Sequence, residues 1–321
     1  MTASHTAPAT GAFIHPAVFY ATDREYLASL VPFITDGLAA GQPVAVAVPG
    51  PRLDLLRTAL GDQAGDVTLI DMQDAGRNPG RIIAAVLRRF ADAHPEGHVR
   101  IIGEPIWPGR TEVEYPACAQ HEALINLAFA GRDVTIACPY DTARLSGEVI
   151  ADARATHPLL WEPDGRRTSA EYAPDVVVDR YNLPLDDRTD GGAEEFAEEF
   201  FVAVLDDVSP ARRQAAVFAR GLGLTDDRVA EVELIVTELV TNGVLHGGGA
   251  CRSRLWRESG HLVCEVRDEG RFADPLAGRR PAPLDQIGGR GLLMIHDLAD
   301  LVRVHTSDQG TTLRVLVRLD A

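Results

Sequence analysis

The sequence contains no lysine, because all 31 of its basic residues are arginine. This absence excludes nucleotide sites built on a phosphate-loop lysine, kinases of the eukaryotic type and every mechanism that needs a Schiff base. Basic residues are also outnumbered, since 47 acidic residues give a net charge of −16. An acidic surface repels phosphate backbones and anionic lipid, so we expect no direct binding to nucleic acid or to membranes.

Cysteine is scarce, and long apolar runs are absent. The four cysteines, Cys118, Cys138, Cys251 and Cys264, form no C-x-x-C pair, which predicts buried free thiols in a reducing compartment. No run of about 18 apolar residues occurs, and the N-terminus lacks the charged-then-apolar pattern of a signal peptide. We therefore expect a cytoplasmic protein, and 321 residues are enough for two domains.

In the first half, residues 12–185, short β-branched runs alternate with amphipathic stretches. This alternation predicts an α/β domain with a doubly wound, mostly parallel sheet. The predicted strands are Val44–Val48, Val67–Asp71, Val99–Gly103 and Val134–Cys138. The predicted helices are Arg24–Ala39, Arg52–Leu60, Gly80–Ala93, Tyr115–Ala130 and Ala143–Thr156.

An acidic segment, residues 186–195, is interpreted as a linker to a second domain at 196–321. There the pattern changes to the order β-α-α-β-β-α-β-β. This order predicts an α/β sandwich with helices layered on one face of a mixed, mostly antiparallel sheet.

Two pairs of residues stand out in the second domain. Glu238 and Asn242 lie four residues apart on a predicted helix and share a face, where a carboxylate and an amide can hold a hydrated Mg²⁺ and polarise a nucleophile. Asp268 ends a predicted strand and can accept a hydrogen bond from an exocyclic amine, while Gly270 lets a ring approach the backbone. Taken alone, each pair is more typical of a solvated helix face or a simple turn.

Two glycine-containing segments complete the set. Gly288, Gly289, Arg290 and Gly291 open a short helix whose free N–H groups suit a polyphosphate, although the spacing is not that of a dinucleotide-binding loop. Gly310-Thr311-Thr312 lies in the last predicted hairpin, where a plain turn is the ordinary interpretation. The order and spacing of all four signals together favour a nucleotide site.

In this order, the segments ELVTNGVLHG, DEG, GGRGLLMI and GTT resemble the GHKL (Bergerat-fold) ATPase superfamily, and most of all the anti-sigma-factor serine kinases of bacterial partner switching. The resemblance covers about residues 196–321 and implies ATP and Mg²⁺ as cofactors. It implies that Glu238 is the general base, that Asn242 is the Mg²⁺ ligand and that Asp268 reads adenine. The rest of the implied ATP site is Gly270, Gly288, Gly289, Arg290, Gly291, Leu292, Thr311 and Thr312. Phe272 departs from the family pattern, which has a second glycine after the adenine-reading aspartate.

The first half resembles the MEDS sensory domain, which is similar to RecA/KaiC-type folds that have lost their phosphate loop. The segments that carry this resemblance are residues 13–20, 30–48, 100–107, 121–126 and 138–141. Proline-rich chain stands at 48–52 in place of a phosphate loop, so we expect no nucleotide hydrolysis here. His121-Glu122 is not a zinc-protease motif, because residues 125 and 126 are Ile and Asn.

A sensory pocket for a small organic ligand is predicted at the carboxyl ends of the parallel strands. The candidate lining residues are His15, Glu104, Trp107, Glu122 and Tyr140. Ordinary packing of the sheet edge is the alternative interpretation of the same residues.

The resemblances together predict an anti-sigma regulatory kinase that binds a sigma factor and phosphorylates Ser or Thr on an anti-anti-sigma (STAS-domain) partner. Its first domain would modulate that reaction. The alternative is an ATP-binding module that holds partners without phosphotransfer. A sensor histidine kinase is disfavoured, because no paired-helix phosphoacceptor element precedes the second domain. Homodimerisation and the identity of the sigma factor stay open.

Overall fold

A computed structural model describes residues 12–185, 197–281 and 289–319. Within these described ranges, the chain divides into two compact units. The first unit comprises the residues up to 76 together with 85–179, and the second comprises residues 77–84 together with those from 180 onwards. The predicted acidic linker, residues 186–195, lies outside the described residues. Within the described residues, no helix is long and apolar enough to span a bilayer.

The sheet of the first unit has seven strands in the order β3-β2-β4-β5-β1-β6-β7. All its pairings are parallel except the β6–β7 hairpin, which confirms the mostly parallel sheet. The strands β2 to β5 match the predicted ones closely, whereas β1, β6 and β7 were not predicted as strands. The bounds are β1 Pro16–Tyr20, β2 Val44–Val48, β3 Thr68–Asp71, β4 Val99–Gly103, β5 Val134–Asp141, β6 Leu159–Glu162 and β7 Gly165–Thr168.

Four of the α-helices described up to residue 180 begin at a side-chain cap, and the capping residues are Thr22, Asp71, Asn78 and Ser146. Thr22 accepts a hydrogen bond from the Glu25 amide at 3.2 Å, and Ser146 caps the helix that was expected to begin at Ala143. The helix expected at Gly80–Ala93 is in fact two short α-helices joined by a π-helical turn, Ile83–Arg88. The α-helices are α1 Asp23–Ala39, α2 Gly50–Leu60, α3 Met72–Ala75, α4 Pro79–Ile82, α5 Arg89–Ala93, α6 Tyr115–Ala128, α7 Gly147–Thr156 and α8 Pro174–Arg180.

Among the residues that the structure describes, the sheet of the second unit has five strands in the order β11-β12-β10-β9-β8. Every pairing in it is antiparallel, so the expectation of a mixed sheet was wrong. The reason is that β11 runs parallel to β10 but one place away, with β12 paired between them. The bounds are β8 Ala197–Val202, β9 Cys251–Glu258, β10 His261–Asp268, β11 Leu301–Ser307 and β12 Gly310–Arg318.

Three helices, α9 Val208–Gly221, α10 Asp226–His246 and α11 Gly291–Leu298, belong to the same unit. Thr225 caps the N-terminus of α10, and the helix ends at His246 with Gly247 as its C-cap. One side of α10 joins the core of the unit through Val232, Ile235, Val236 and Leu239. This burial fixes the rotation of α10 and therefore where its polar residues point. All four cysteines are free and buried, as predicted.

Candidate functional site

A cavity of about 670 Å³ lies in the second unit, within the size range of small-molecule sites. Four parts of the unit contribute to it: α10, the chain that follows β10, the start of α11 and the start of β12. Among the predicted residues, those that line it are Glu238, Asn242, Asp268, Gly270, Gly289, Arg290, Gly291, Leu292 and Thr311. Thr311 and Leu313 line the cavity while Thr312 does not, as expected for side chains that alternate along a strand. Gly288 lies outside the described residues.

The start of α11 lies directly against the polar face of α10. A β-carbon placed on Gly291 would collide with Glu238 Oε2, and it would lie 3.6 Å from Asn242 Nδ2. A side chain at 291 would therefore displace either the Glu238 carboxylate or the start of α11. Glu238 and Asn242 are both partly exposed, so they remain available to a ligand in the cavity.

Asp268 is the last residue of β10, and its carboxylate is held by the loop that follows. Its Oδ1 accepts a hydrogen bond from the Gly270 amide at 2.8 Å. Burial raises the pKa of Asp268, and the Gly270 N–H group opposes that effect. Within the described chain Oδ2 accepts no hydrogen bond, so one oxygen of the carboxylate is open to a ligand.

Gly270 is required by the packing of the protein itself. A β-carbon on it would lie 2.7 Å from the Gly247 α-carbon and would collide with the His246 carbonyl oxygen. The loop after β10 therefore presses against the carboxyl end of α10. This reason for glycine is independent of the ring approach expected from the sequence.

A directed chain of hydrogen bonds holds that loop on the β11–β12 hairpin. The Phe272 amide donates to Thr306 Oγ1 at 3.1 Å, and Thr311 Oγ1 donates to the Gly270 carbonyl at 2.8 Å. The two hydroxyls are 3.0 Å apart. Since Thr311 already donates to a carbonyl, its oxygen is the acceptor for the Thr306 hydroxyl.

Asn182 and Thr306 belong to this network of hydrogen bonds but were not among the residues predicted from the sequence. The Asn182 amide donates to the Thr306 carbonyl at 2.8 Å, and its Oδ1 accepts from the Thr306 amide at 2.9 Å. Asn182 is 124 residues from Thr306 in sequence, and no local pattern links them. The Gly310-Thr311-Thr312 segment was the only local signal at this hairpin.

Arginine supplies the positive charge at the cavity. Arg271 pairs with Asp308 at 3.2 Å and Arg280 with Asp274 at 2.8 Å, all on exposed side chains. Arg290 stands at the N-terminal end of α11, where the helix presents free backbone N–H groups. The cavity thus combines a helix N-terminus, an end that suits anions in general, with arginine side chains.

In the first unit, the five residues of the predicted sensory pocket fall into separate contact groups. His15 Nε2 lies 3.5 Å from Glu122 Oε2, and Tyr140 packs its ring against His157. Burial, then repulsion from His157, lowers the pKa of His15 to about 4. None of His15, Glu122 and Tyr140 is more than 1% exposed, so all three are interior side chains.

Glu104 and Trp107 stand apart from that group. Tyr20 and Tyr26 donate to the buried Glu104 carboxylate at 3.3 and 3.4 Å. Burial raises the pKa of Glu104 to about 8, although the nearby Arg52 opposes the shift. Trp107 is half-buried, and the Arg110 guanidinium stacks 3.9 Å from its ring centre. A sensory pocket stays a prediction.

Two known families match separate parts of the chain. Residues 14–158 match the family described as MEDS, the MEthanogen/methylotroph, DcmR Sensory domain. Residues 201–317 match the histidine kinase-like ATPase domain. The two matches fall on opposite sides of the predicted linker.

Curated relatives share a single description, anti-sigma F factor. The protein of Clostridium acetobutylicum is 30% identical over 129 residues, which covers 37% of this chain and 88% of the relative. Those of Bacillus subtilis and Priestia megaterium are 30% and 32% identical, over 37% and 35% of this chain and 89% and 85% of the relatives. A solved structure of the RsbU and RsbW domains of a Mycobacterium tuberculosis protein is 19% identical, with a TM-score of 0.29, and covers 38% of this chain and 32% of that chain.

Proposed function

This chain belongs to the family that includes the anti-sigma F factors, and we therefore propose that it is an anti-sigma regulator whose second unit binds ATP with Mg²⁺ and phosphorylates a partner protein. The partners are a sigma factor and an anti-anti-sigma protein of the STAS type. One observation carries the nucleotide part of the proposal: Glu238, Asn242, Asp268 and the N-terminus of α11 surround one cavity of suitable size.

Adenine recognition falls to the loop after β10. Asp268 Oδ1 is occupied by the Gly270 amide, so Oδ2 accepts the hydrogen bond from the exocyclic amine of the base. The hydrogen-bonded chain through Thr311 and Thr306 holds this loop in place before the ligand arrives. A pre-positioned loop reduces the entropy lost on binding.

The phosphates belong at the other end of the cavity, near Gly289 and Gly291. Backbone N–H groups at the start of α11 donate to phosphate oxygens, and Arg290 adds a positive charge. Asn242 fits Mg²⁺, because its amide supplies a neutral oxygen and the surrounding cavity leaves room for the waters that this ion retains. When bound, the ion neutralises charge on the phosphates.

Glu238 is the proposed general base. Its carboxylate lies beside the start of α11, on the same helix face as Asn242. It accepts the proton of a partner Ser or Thr hydroxyl while the hydroxyl oxygen bonds to the γ-phosphorus. The bond from that phosphorus to the β–γ bridging oxygen breaks, and ADP leaves with the electron pair. The added phosphate charge weakens the docked interface of the partner.

Phosphotransfer is tested by incubating the full chain with Mg²⁺, γ-labelled ATP and a purified STAS-domain partner. We expect label on a partner Ser or Thr. Glu238→Gln should reduce the transfer rate by about 10²-fold or more and change ATP affinity by no more than a few-fold. Glu233→Gln is the matched control, because Glu233 lies on α10 outside the residues that line the cavity.

Three outcomes separate the candidate functions. ATP binding without label on any partner would favour the non-catalytic interaction module. Label on a histidine of this chain would indicate a histidine kinase. Equal transfer rates for Glu238→Gln and the unaltered protein would show that Glu238 is not the base.

A further inference from the structure

Four metal-ligating side chains meet in the interior of the first unit. His15 precedes β1, Glu122 lies on α6, Cys138 lies on β5 and His157 follows α7. Their ligand atoms all lie within 4.8 Å of one another. Each of the four residues is at most 1% exposed, so the cluster has no contact with solvent.

The hydrogen bonds around the two histidines determine which ring nitrogen faces the cluster. His157 Nδ1 lies 2.8 Å from the Ala153 carbonyl oxygen, which can only accept, so Nδ1 carries the hydrogen. His15 Nδ1 lies 3.1 Å from Asn126 Oδ1, and Asn126 Nδ2 donates to the Thr156 carbonyl at 2.8 Å. That bond fixes the amide orientation, so His15 Nδ1 is also a donor. Both neutral rings therefore present the lone pair of Nε2 to the cluster.

Both lone pairs face the Glu122 carboxylate, which is itself an acceptor and cannot donate a hydrogen bond to them. Glu122 Oε2 lies 3.5 Å from His15 Nε2 and 3.2 Å from His157 Nε2. Cys138 Sγ, at 3.5 Å, can donate to His15 Nε2. With both rings neutral, the two Glu122 oxygens and His157 Nε2 are buried without a hydrogen-bond partner in the described chain, whereas a second proton on His157 would pair it with Glu122. Unpaired polar atoms at this depth are costly unless a cation lies between them.

We propose that His15, Glu122, Cys138 and His157 bind one divalent transition-metal ion of the zinc class. Tetrahedral zinc with bonds of about 2.0 to 2.3 Å separates neighbouring ligand atoms by about 3.3 to 3.6 Å. Three of the six separations, at 3.2, 3.5 and 3.5 Å, are close to these edges, and all six are within 4.8 Å.

The chemistry of the donors selects the ion. Two imidazoles, one sulfur and one carboxylate suit zinc, whereas Mg²⁺ and Ca²⁺ require oxygen ligands. A thiolate and a carboxylate together carry two negative charges, which neutralise a divalent ion among these buried side chains. The carbonyl of Ala153 and the amide of Asn126 act as the outer partners that orient metal-bound histidines.

The four ligands leave no open position, so the site is structural and not catalytic. The ion joins the start of β1 to α6, β5 and the segment between α7 and β6. The strand pairs β1–β5 and β1–β6 are held by the same connection. Metal binding thus contributes directly to the folding free energy of the first unit.

The experiment uses the full chain, produced without an affinity tag that binds metal and purified without chelator. We expect about one zinc per chain by elemental analysis, since one four-ligand site is closed by one ion. The chain refolded with Co²⁺ should show the visible absorption of tetrahedral cobalt together with a thiolate-to-cobalt charge-transfer band.

Two variants identify the ligands. Cys138→Ser should abolish the charge-transfer band and weaken zinc binding at least about tenfold, the scale at which even outer partners of a metal act. Cys118→Ser is the matched control, because Cys118 is also a buried thiol of the first unit but lies outside the cluster. Asn242→Ala should keep the zinc, which separates this site from the Mg²⁺ of the proposed function.

Less than about one tenth of an equivalent of metal in the folded wild-type chain, with no cobalt spectrum after refolding, would overturn the proposal, since a structural site of this kind binds tightly. A charge-transfer band that persists in Cys138→Ser would also contradict it. If Cys138→Ser does not fold, His157→Gln provides the second test, because it should alter the cobalt spectrum. In either contrary case the cluster is a hydrogen-bonded network in which a proton on His157 pairs with Glu122.

Discussion

Asp268 is the residue whose substitution tests adenine recognition most directly. Asp268→Asn keeps an oxygen that can accept from the Gly270 amide, so the loop after β10 should keep its conformation. The nitrogen that replaces Oδ2 cannot accept from the exocyclic amine of adenine. We expect calorimetric ATP affinity to fall at least about tenfold, or about 1.4 kcal/mol. An unchanged affinity would place the base elsewhere in the cavity.

Glu104 gives the first unit a pH-dependent stability. Its pKa is raised from 4.5 to about 8, first by burial and against the effect of Arg52. Below pH 4.5 the carboxyl is protonated in both folded and unfolded chains. Between these values only the unfolded chain ionises, so stability falls as pH rises, by at most about 1.4 kcal/mol per pH unit, and the loss is complete above the folded pKa.

Glu104→Gln should remove this slope, because glutamine does not ionise, and it keeps an oxygen acceptor for one of the two tyrosines, which donate to different oxygens of Glu104. Denaturant unfolding of the full chain at several pH values from 5 to 8.5 measures the effect. The variant should become more stable than the unaltered protein towards the alkaline end. Identical slopes in the two proteins would show that Glu104 is not the group responsible.

At the scale of elements, the packing of α11 against α10 places the proposed phosphate site beside Glu238, the proposed general base. Gly291→Ala places a β-carbon where Glu238 Oε2 now lies, so either the carboxylate or the start of α11 must move. A 1 Å displacement is enough to impair a positioned catalytic group. We expect phosphotransfer to fall by about 10²-fold, with a smaller loss of ATP affinity.

Gly221→Ala is the matched control for this substitution. Gly221 ends α9 in the same unit, and a β-carbon there meets nothing within 4 Å. It should change neither phosphotransfer nor ATP binding. Equal effects of the two substitutions would show that the closeness of Gly291 to Glu238 has no functional role.

Periodicity and caps predicted the elements that have their own local signals. Thr225 and the glycines after His246 define α10, and the apolar stretch at 44–48 defines β2. The short strands β6 and β7 lack such a signal, because they are only four residues each and all four residues of β7 are exposed. Sequence also could not show that β12 separates β11 from β10, since strand order depends on tertiary packing.

The same limit applies to the candidate sites. Glu238 and Asn242 were found because a helix brings residues four apart to one face. Asn182 with Thr306, and His157 with Glu122, are pairs that come together only in the folded chain. No local pattern marks them, and His157 in particular follows a helix without any motif around it. Long-range hydrogen bonding is therefore what the structure adds.

For the whole molecule, the central question is whether the two units are coupled. Coupling between two sites is reciprocal. If the first unit regulates nucleotide binding by the second unit, then nucleotide binding must in turn change the stability of the first unit. Tryptophan reports each unit separately, since Trp107 and Trp161 lie in the first and Trp256 in the second. Trp256→Phe leaves only the first-unit probes, and Trp107→Phe with Trp161→Phe leaves only the second.

Nucleotide linkage then measures the coupling. Mg–ATP at about 100 times its Kd should stabilise the second unit by about 2.7 kcal/mol in denaturant unfolding followed through Trp256. We expect the first-unit probes to shift in the same direction by about 1 kcal/mol or more, the lower end of typical coupling energies. Asp268→Asn should abolish both shifts at the same ATP concentration. If the Trp256 signal shifts while the Trp107 and Trp161 signals do not, the units unfold independently, and the first unit does not regulate nucleotide binding by the second.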